Sequence, residues 1–314
     1  MRCPSEVPLL ENEVAVQLCG ILNLGRRYLR IRFTRPNRGV TLVRNIMGKR
    51  SKTKASQPEL QRKACESIEE NIYWHVGGIS AISKQTGFPE VGTVTAVQWK
   101  NRTFLLTAGH VIDNYEDGDF KFVFRPPGNI ERGLWWQSST PGPLFPGEPI
   151  NILRRYRSNR DDIAALEVSP NLESGRRLRF YSLNQDSKVV RPINSSFCAI
   201  GLPFDSFEQI GPLSAAFAMF SLWGNPVRPG NNIPDKFNPR ASLLMEFLPA
   251  TDGRKPGGFS GAGVWYQTPT VNRPIVWSPA PILAGLITHY YPTRRALLIC
   301  RVERLVSFLQ SVAQ

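Results

Sequence analysis

The sequence has no run of 18 apolar residues, so it predicts no helix long enough to cross a membrane. Its longest apolar stretch, near Leu213 to Trp223, is much shorter. The start of the chain also lacks the pattern of a secretory signal, because Glu6, Glu11 and Glu13 interrupt the part that would have to be apolar. We therefore expect a protein that is not exported by that route and that is cytoplasmic.

Cysteine is scarce as well: the 314 residues include five, an odd number without the spacing of a metal site. We favour the interpretation that they are unpaired thiols in a reducing compartment, although the sequence leaves a bridge between Cys198 and Cys300 open. We expect neither a metal nor a cofactor. The five are Cys3, Cys19, Cys65, Cys198 and Cys300.

Acidic residues are missing from residues 24–54, which hold 11 Lys or Arg and contribute much of the net charge of +14. Such a run, interleaved with Tyr28 and Phe33, is able to bind nucleic acid or an anionic membrane through counterion release. We favour a solvated, partly disordered basic arm over residues 1–55, because no nucleic-acid fold motif accompanies it.

A capping box at Ser56 to Glu59 then predicts an amphipathic helix over about 57–71, within a linker at residues 56–72.

Histidine is the scarcest of the catalytic residue types, with only three in the chain. His110 ends an apolar strand, in Thr107-Ala108-Gly109-His110. Asp162 directly precedes a second apolar strand, in Asp161-Asp162-Ile163-Ala164. Ser260 lies among glycines, in Gly257-Gly258-Phe259-Ser260-Gly261. A serine hydroxyl needs a base to take its proton, and the oxyanion that it forms needs fixed donors, which backbone N–H groups beside glycine supply.

The chain order His, Asp, Ser, with separations of 52 and 98 residues, differs from the orders of subtilisin and of the α/β-hydrolases. The three motifs together resemble those of the chymotrypsin-like (trypsin-like) serine peptidase family, in a style similar to its bacterial members. The resemblance covers about residues 73–313. It implies a catalytic triad of His110, Asp162 and Ser260, and an oxyanion hole built from the amides of Gly258 and Ser260. Asp161 is the rival for the acid, but we expect it to face solvent.

Short runs of branched and aromatic residues, separated by Gly, Pro, Asn or Asp turns, predict an all-β protein. The family resemblance implies two six-stranded antiparallel Greek-key barrels, which we assign to residues 73–175 and 176–314, with a C-terminal helix at Glu303–Val312. The predicted strands are Tyr73–Ile82, Val91–Trp99, Thr103–Thr107, Phe120–Phe124, Ile150–Arg154, Ile163–Val168, Phe180–Leu183, Phe197–Leu202, Ser214–Trp223, Ser242–Leu248, Gly263–Tyr266, Ile282–Thr288 and Leu297–Val302.

One proline- and glycine-rich stretch, residues 125–149, interrupts the first set of strands. We predict an irregular surface insertion there, whose Trp135 and Trp136 either contact substrate or form a lid packed on the barrel.

Two further expectations come from the resemblance. Members activated by cleavage carry an aspartate just before the nucleophile, whereas this chain has Phe259, so we do not expect activation by N-terminal cleavage.

Arg254 and Lys255 fall at the base of the family's specificity pocket, and Thr288, His289 and Tyr290 fall on one wall. A cation at the base favours an acidic substrate side chain. A small apolar pocket, with both cations in solvent, is the alternative.

The sequence thus favours a serine endopeptidase that acts on unfolded or extended polypeptide. Two rivals stay open. One is a catalytically silent binding module that keeps the protease motifs, and the other is a nucleic-acid or membrane-associated protein that works through residues 24–54.

Overall fold

A computed structural model describes residues 66–82, 89–113, 121–123, 133–137, 148–173, 178–187, 196–203, 207–211, 214–229, 236–247, 256–266 and 281–313. The predicted arm at residues 1–55 lies outside this range, as does most of the predicted linker helix. Within the described range, residues 66–73 are helical (α1). The two other helices are α2 (Gly109–Asp113) and α3 (Val302–Val312). None of the described helices is long and apolar enough to span a membrane.

Strands make up most of the described chain, which confirms the all-β class. They are β1 (Val76–Ile82), β2 (Pro89–Trp99), β3 (Arg102–Ala108), β4 (Lys121–Val123), β5 (Gly133–Gln137), β6 (Glu148–Pro149), β7 (Ile152–Ser158), β8 (Ile163–Val168), β9 (Tyr181–Leu183), β10 (Phe197–Gly201), β11 (Phe207–Gly211), β12 (Ser214–Ala218), β13 (Phe220–Gly224), β14 (Ser242–Glu246), β15 (Gly263–Tyr266), β16 (Ile282–Tyr291) and β17 (Ala296–Arg301).

Two large sheets hold most of these strands. The first has eight strands in the order β6-β4-β1-β2-β3-β8-β7, with the short β9 added parallel to β2. The second has six strands in the order β13-β10-β15-β16-β17-β14, and all its pairings are antiparallel. The first sheet therefore has more strands than the six expected, because β6 extends one edge and β9 returns to it after residue 176.

A third sheet, in the order β11-β12-β5, differs from what was expected of the insertion. Residues 125–149 were expected to be irregular, but β5 within them pairs antiparallel with β12, so that Trp135 lies opposite Ala216 and Trp136 opposite Ala215. The β-forming residues Leu134 to Trp136 have a ready partner there. The single strand expected over Ser214–Trp223 is also wrong, because it divides at Met219 into β12 and β13, which belong to different sheets.

The near-continuous apolar sequence of β3 reflects burial on both faces. Successive side chains of a strand point in opposite directions, so Leu105 enters one core while Phe104 and Leu106 enter the other. The smaller core lies within the first sheet. The larger one joins residues of the first sheet to the second sheet and to α3.

Helix α3 closes the larger core with an apolar stripe. Leu305, Val306, Phe308 and Leu309 are buried, at the i, i+3, i+4 spacing that the sequence shows. The predicted terminal helix is therefore confirmed, with its start one residue earlier than expected. The two large sheets contact each other near three strand ends. These are the end of β3, the start of β8 and the start of β15.

Candidate active site

His110 lies in α2, a single helical turn that follows directly from β3. The preceding residue, Gly109, packs so closely that a Cβ there would approach Asp162 Oδ1 to 2.8 Å and Arg157 Nε to 3.1 Å. The Gly109 amide donates to the carbonyl oxygen of Asp162 at 2.8 Å. A glycine at the end of β3 thus allows the His110 turn to pack against the turn that carries Asp162.

Asp162 occupies the turn between β7 and β8, in a left-handed backbone conformation with φ of 50°. This conformation is uncommon for residues with a Cβ, although Asp adopts it more readily than most. Its carboxylate makes two hydrogen bonds to one residue: the His110 amide donates to Oδ1 at 3.0 Å, and His110 Nδ1 donates to Oδ2 at 2.7 Å. The carboxylate therefore fixes both the position and the tautomer of the imidazole.

The ionisation of Asp162 follows from these contacts. Burial alone would raise the pKa of the carboxyl, but the hydrogen bond from the His110 ring and the neighbouring imidazoles outweigh it, so the pKa lies below its usual value. Asp162 is therefore a carboxylate at neutral pH, able to stabilise a proton on His110.

Ser260 lies in the turn just before β15, on the second sheet. Its Oγ is 3.1 Å from His110 Nε2, on the opposite side of the ring from Asp162. The three residues form a continuous hydrogen-bonded chain, and the predicted trio meets in one place although its members are up to 150 residues apart. The His110 side chain is 46% exposed, so solvent reaches this hydrogen-bonded chain at the imidazole.

The amides of Gly258 and Ser260 are the predicted oxyanion donors. Gly258 has φ of 93°, a conformation that glycine adopts without steric cost. Among the residues that the structure describes, neither amide donates to a protein acceptor, whereas the amides of Phe259 and Gly261 donate to Pro256 O and Ile287 O. Both predicted donors thus stay available to a ligand.

Two buried threonines of β2 hold the Ser260 turn against the first sheet, and a third threonine, on β3, bonds to one of them. None of the three was among the predicted site residues. Thr93 Oγ1 donates to the Gly258 carbonyl at 2.6 Å, and Thr95 Oγ1 donates to the Gly261 carbonyl at 3.0 Å. Thr107 Oγ1 donates to Thr93 O at 2.9 Å. Hydroxyls spaced by two on a strand share one face, and this pattern at Thr93 and Thr95 was the available signal.

Gly261 serves this packing rather than substrate access. Its φ is 94°, and a Cβ at this position would lie 2.0 Å from Thr93 O and 2.3 Å from Thr107 Oγ1. Gly261 therefore leaves room for the close approach of the first sheet.

Asp161 does not face solvent as expected, because its side chain is only 9% exposed. Arg304 of α3 donates to both of its carboxylate oxygens, with Nη2 to Oδ2 at 2.8 Å and Nε to Oδ1 at 3.3 Å. Its neighbour Asp162 is the carboxylate that contacts His110. The two aspartates thus have different partners, and the turn that carries both is tied to the C-terminal helix.

His289 on β16, which the resemblance assigned to a wall of the specificity pocket, lies beside His110 and Asp162. Its ring centroid is 5.5 Å from that of His110, and its Nδ1 is 3.5 Å from Asp162 Oδ2. Lys236 Nζ lies 2.7 Å from its Nε2. Burial lowers the pKa of His289 below its usual value, which favours the neutral imidazole, while the nearby Asp162 acts in the opposite direction.

His110, Asp162 and His289 each offer a potential metal ligand, and these atoms lie within 4.8 Å of one another. Two features oppose a metal ion at this position. The ammonium of Lys236 contacts the outer nitrogen of His289, and an ion on Oδ2 would compete with the 2.7 Å hydrogen bond from His110. The donor set fits a hydrogen-bonded relay better than a metal centre.

The predicted specificity residues lie in several environments. Arg254 and Lys255 fall outside the described residues, so the pocket base stays a prediction. The Thr288 side chain is buried, and its hydroxyl points toward Leu298 O at 3.5 Å. The Tyr290 ring contacts Phe247 edge to face at 5.2 Å between centroids.

The two cysteines in the described range, Cys198 and Cys300, are both buried and carry thiols rather than a shared disulfide. The remaining three lie outside that range. The open alternative of a bridge between Cys198 and Cys300 is thereby removed, while the cytoplasmic location stays a prediction.

No protein-family model and no curated protein matches this sequence. Among solved structures, the chain is similar to a thermostable serine protease, AL20, from an extremophilic microorganism, with 14% identity and a TM-score of 0.41 over 78% of this chain and 99% of that one. It is similar to the protease Anisep from Arthrobacter nicotinovorans, with 16% identity and a TM-score of 0.40 over 76% of this chain and 95% of that one. It is also similar to the scabies mite inactivated protease paralogue S-D1, with 13% identity and a TM-score of 0.47 over 78% of this chain and 93% of that one.

Two of these three proteins are described as proteases and the third as an inactivated protease paralogue. At these identities and TM-scores the similarities carry no argument about what this chain does.

Proposed function

We propose that this protein is a serine endopeptidase that hydrolyses peptide bonds through His110, Asp162 and Ser260. The observation that carries the proposal is the continuous chain of contacts from Asp162 Oδ2 to His110 Nδ1 at 2.7 Å, and from His110 Nε2 to Ser260 Oγ at 3.1 Å. Three residues in such a relay have the reach that nucleophile activation requires.

The reaction follows from which atom holds each proton. Asp162 keeps the hydrogen of the His110 ring on Nδ1, so Nε2 is free to take the proton of Ser260 as its Oγ attacks the peptide carbonyl carbon. The carbonyl oxygen becomes an oxyanion, which the amides of Gly258 and Ser260 stabilise. His110 then gives the proton to the leaving amine, and an acyl-enzyme remains.

Water then hydrolyses the acyl-enzyme, with His110 acting again as the base and then as the acid. His110 takes a proton from a water molecule, the resulting hydroxide attacks the acyl carbon, and the proton returns to Ser260 as the acid product leaves. No atom outside the chain, the substrate and water enters this scheme. A polypeptide in extended conformation is the proposed substrate, because an extended chain leaves its peptide carbonyls accessible to Ser260 Oγ.

Labelling with a fluorophosphonate probe tests the proposal directly. The expected result is stoichiometric modification of the wild type at Ser260, together with hydrolysis of an unfolded protein substrate. Ser260→Ala is the control that should lose both, with an unchanged far-UV circular dichroism spectrum. A folded wild-type protein that neither reacts nor cleaves a peptide library would instead support the silent binding module.

The preference at the acyl side of the cut needs its own measurement, because Arg254 and Lys255 lie outside the described residues. Cleavage of a mixed peptide library enriched for Glu or Asp before the scissile bond, and weakened by Arg254→Ala, would support the cationic pocket. Preference for small apolar residues would support the alternative, and preference for Lys, Arg or large aromatic residues would exclude the cationic pocket.

A further inference from the structure

His289 on β16 approaches the same carboxylate that His110 contacts. Its Nδ1 is 3.5 Å from Asp162 Oδ2, the oxygen that accepts from His110 Nδ1. That Nδ1 atom of His289 is buried and has no hydrogen-bond partner within the described part of the chain. A buried polar nitrogen this close to an acceptor calls for a physical explanation, since unpaired buried donors are costly.

Lys236 decides which nitrogen of His289 carries the hydrogen. An ammonium group only donates, so the 2.7 Å contact between Lys236 Nζ and His289 Nε2 requires Nε2 to accept. In a neutral imidazole the hydrogen is then on Nδ1, which is the atom next to Asp162 Oδ2. The second imidazole therefore presents a donor, and not a lone pair, to the carboxylate.

The 3.5 Å distance between His289 Nδ1 and Asp162 Oδ2 lies just outside the range of a hydrogen bond. A shift of about 0.5 Å would form that bond. Catalytic hydrogen bonds are often long in the absence of substrate and shorten in the working complex. The β16 strand bulges between Ile287 and His289, so the backbone is already displaced from regular pairing at this residue. A small movement there is the one that would close the contact.

We propose that His289 is a positioning residue for the reaction, a second imidazole donor that holds Asp162 in place, with its tautomer set by Lys236. The inference rests on the proposed endopeptidase function. Asp162 would then have three donors on its carboxylate, with the His110 amide on Oδ1 and two ring nitrogens on Oδ2. Its own backbone is in a strained left-handed conformation, so the additional donor offsets the tendency of this turn to relax.

The arrangement has a directional consequence for the pH dependence. Within the described part of the chain, the charged or titratable groups that act on His289 are Asp162, His110 and Lys236, each on a different segment. Removing the His289 donor leaves more negative charge on Oδ2 for the His110 ring to neutralise. We therefore expect the acid limb of kcat/KM to move to higher pH in a variant that lacks this donor.

Kinetics of three variants test this role. We expect His289→Leu to lower kcat about 10- to 100-fold with little change in KM, as for a small misplacement of the catalytic groups, and to move the acid limb upward. His289→Asn puts an amide donor near the position of Nδ1 and should restore most of kcat and the original pH profile. His75→Asn is the matched control, because His75 donates from its own Nδ1 to Arg179 O, away from the serine.

A tautomer measurement needs no turnover. The ¹⁵N chemical shifts of the three histidines should show His289 protonated at Nδ1 and bare at Nε2, and Lys236→Met should shift this ring toward a mixture of tautomers. The opposite tautomer in the wild type would overturn the inference. So would an unchanged kcat in folded His289→Leu, or a change confined to KM and to cleavage preference, which would make His289 a substrate-binding residue.

The two proposals fail in different ways. If the wild type does not react with a fluorophosphonate, the endopeptidase function fails. If the wild type reacts and His289→Leu has wild-type kcat and pH profile, only the positioning role fails.

Discussion

At the scale of single residues, the structure gives the two adjacent aspartates separate roles. Asp162 contacts His110 through both carboxylate oxygens. Asp161 instead binds Arg304 of α3. Because the neighbours are so close in sequence, a substitution at each one is a sharp test of the assignment.

We predict that Asp162→Asn lowers kcat by about 10⁴, because an amide that donates to His110 holds the ring in the wrong tautomer. His110→Ala and Ser260→Ala should abolish turnover while the proteins stay folded. Asp161→Asn is the matched control and should keep most of the activity, measured as kcat on a peptide substrate. An inactive Asp161→Asn beside an active Asp162→Asn would reverse the assignment.

The threonines beneath the nucleophile turn lead to a second prediction. Thr93→Val keeps the shape of the side chain but removes the donor to Gly258 O and the acceptor for the Leu202 amide, which is 3.0 Å away. We expect a loss of about 1–3 kcal/mol in the free energy of unfolding, because two buried backbone groups lose their partner. We also expect a lower kcat, because the Gly258 amide is one of the two proposed oxyanion donors.

Thr103→Val separates these two effects. Thr103 is also buried and its hydroxyl donates to Val168 O at 2.7 Å, but it lies at the far end of β3 from His110. Thr103→Val should lose a similar amount of free energy of unfolding as Thr93→Val, and its kcat should be unchanged. Both variants are measured for kcat and for urea unfolding. If Thr93→Val has the same kcat as Thr103→Val, the Thr93 hydroxyl does not support the proposed oxyanion donors.

At the scale of whole elements, α3 connects the end of the chain to the turn that carries Asp162. The connection is the two-point contact between Arg304 and Asp161, whose side chains are 30% and 9% exposed. We predict that Arg304→Met lowers the free energy of unfolding by about 1–3 kcal/mol, as for a charge-assisted hydrogen bond, and reduces kcat through the Asp162 turn. Arg301→Met, which removes a contact to Glu303 only two residues away, should have a much smaller effect on both measurements.

A second contact between elements predicts how stability depends on pH. Arg102 on β3 donates to both carboxylate oxygens of Glu167 on β8 and to the Val312 carbonyl at the end of α3. The hydrogen bond from Arg102 holds the pKa of Glu167 below its usual value of 4.5, despite partial burial. A carboxyl whose pKa is lowered on folding stabilises the protein above its unfolded pKa, and this stabilisation is lost as the pH falls through the folded pKa.

Denaturant unfolding measured from pH 7 downward should therefore show a steeper loss of stability below about pH 4.5 in the wild type than in Glu167→Gln. The variant is less stable at neutral pH, and the two curves should approach each other in acid. Parallel curves over the whole range would mean that Glu167 has the same pKa in the folded and unfolded states.

At the scale of the whole molecule, α1 belongs to the folded core. Ile68 and Ile72 are buried in the larger core, and Glu69 accepts hydrogen bonds from Ser221 Oγ and from Trp223 Nε1 on β13. The last turns before β1 are thus part of the core that also holds the second sheet.

We predict that deletion of residues 1–55 leaves peptidase activity and cooperative unfolding nearly unchanged, because this arm has no long hydrophobic period. Deletion of residues 1–73 is the contrasting variant and should lower Tm by several degrees or prevent folding, because it removes Ile68 and Ile72 from the core. Salt-dependent binding of DNA or anionic vesicles by the full chain, lost on deletion of residues 1–55, would support the basic arm as a working part.

Local sequence alone determined the all-β class, most strand positions and the terminal helix, because side-chain periodicity and turn residues act over a few residues. It also determined which histidine, aspartate and serine to consider, since each has a distinctive neighbourhood of glycine or apolar strand. Even Ile163–Val168 and Gly263–Tyr266 have the predicted limits.

Only the tertiary structure decided how elements distant in the sequence meet. The pairing of β5 with β12 and the return of β9 to β2 depend on partners about 80 residues away, which no local pattern encodes. The burial of Asp161 depends on Arg304, and the position of His289 beside Asp162 depends on the packing of β16 against the turn before β8. Such contacts are set by the packing of two sheets, so the sequence identified the relay from Asp162 to Ser260 but did not identify the residues that hold it in place.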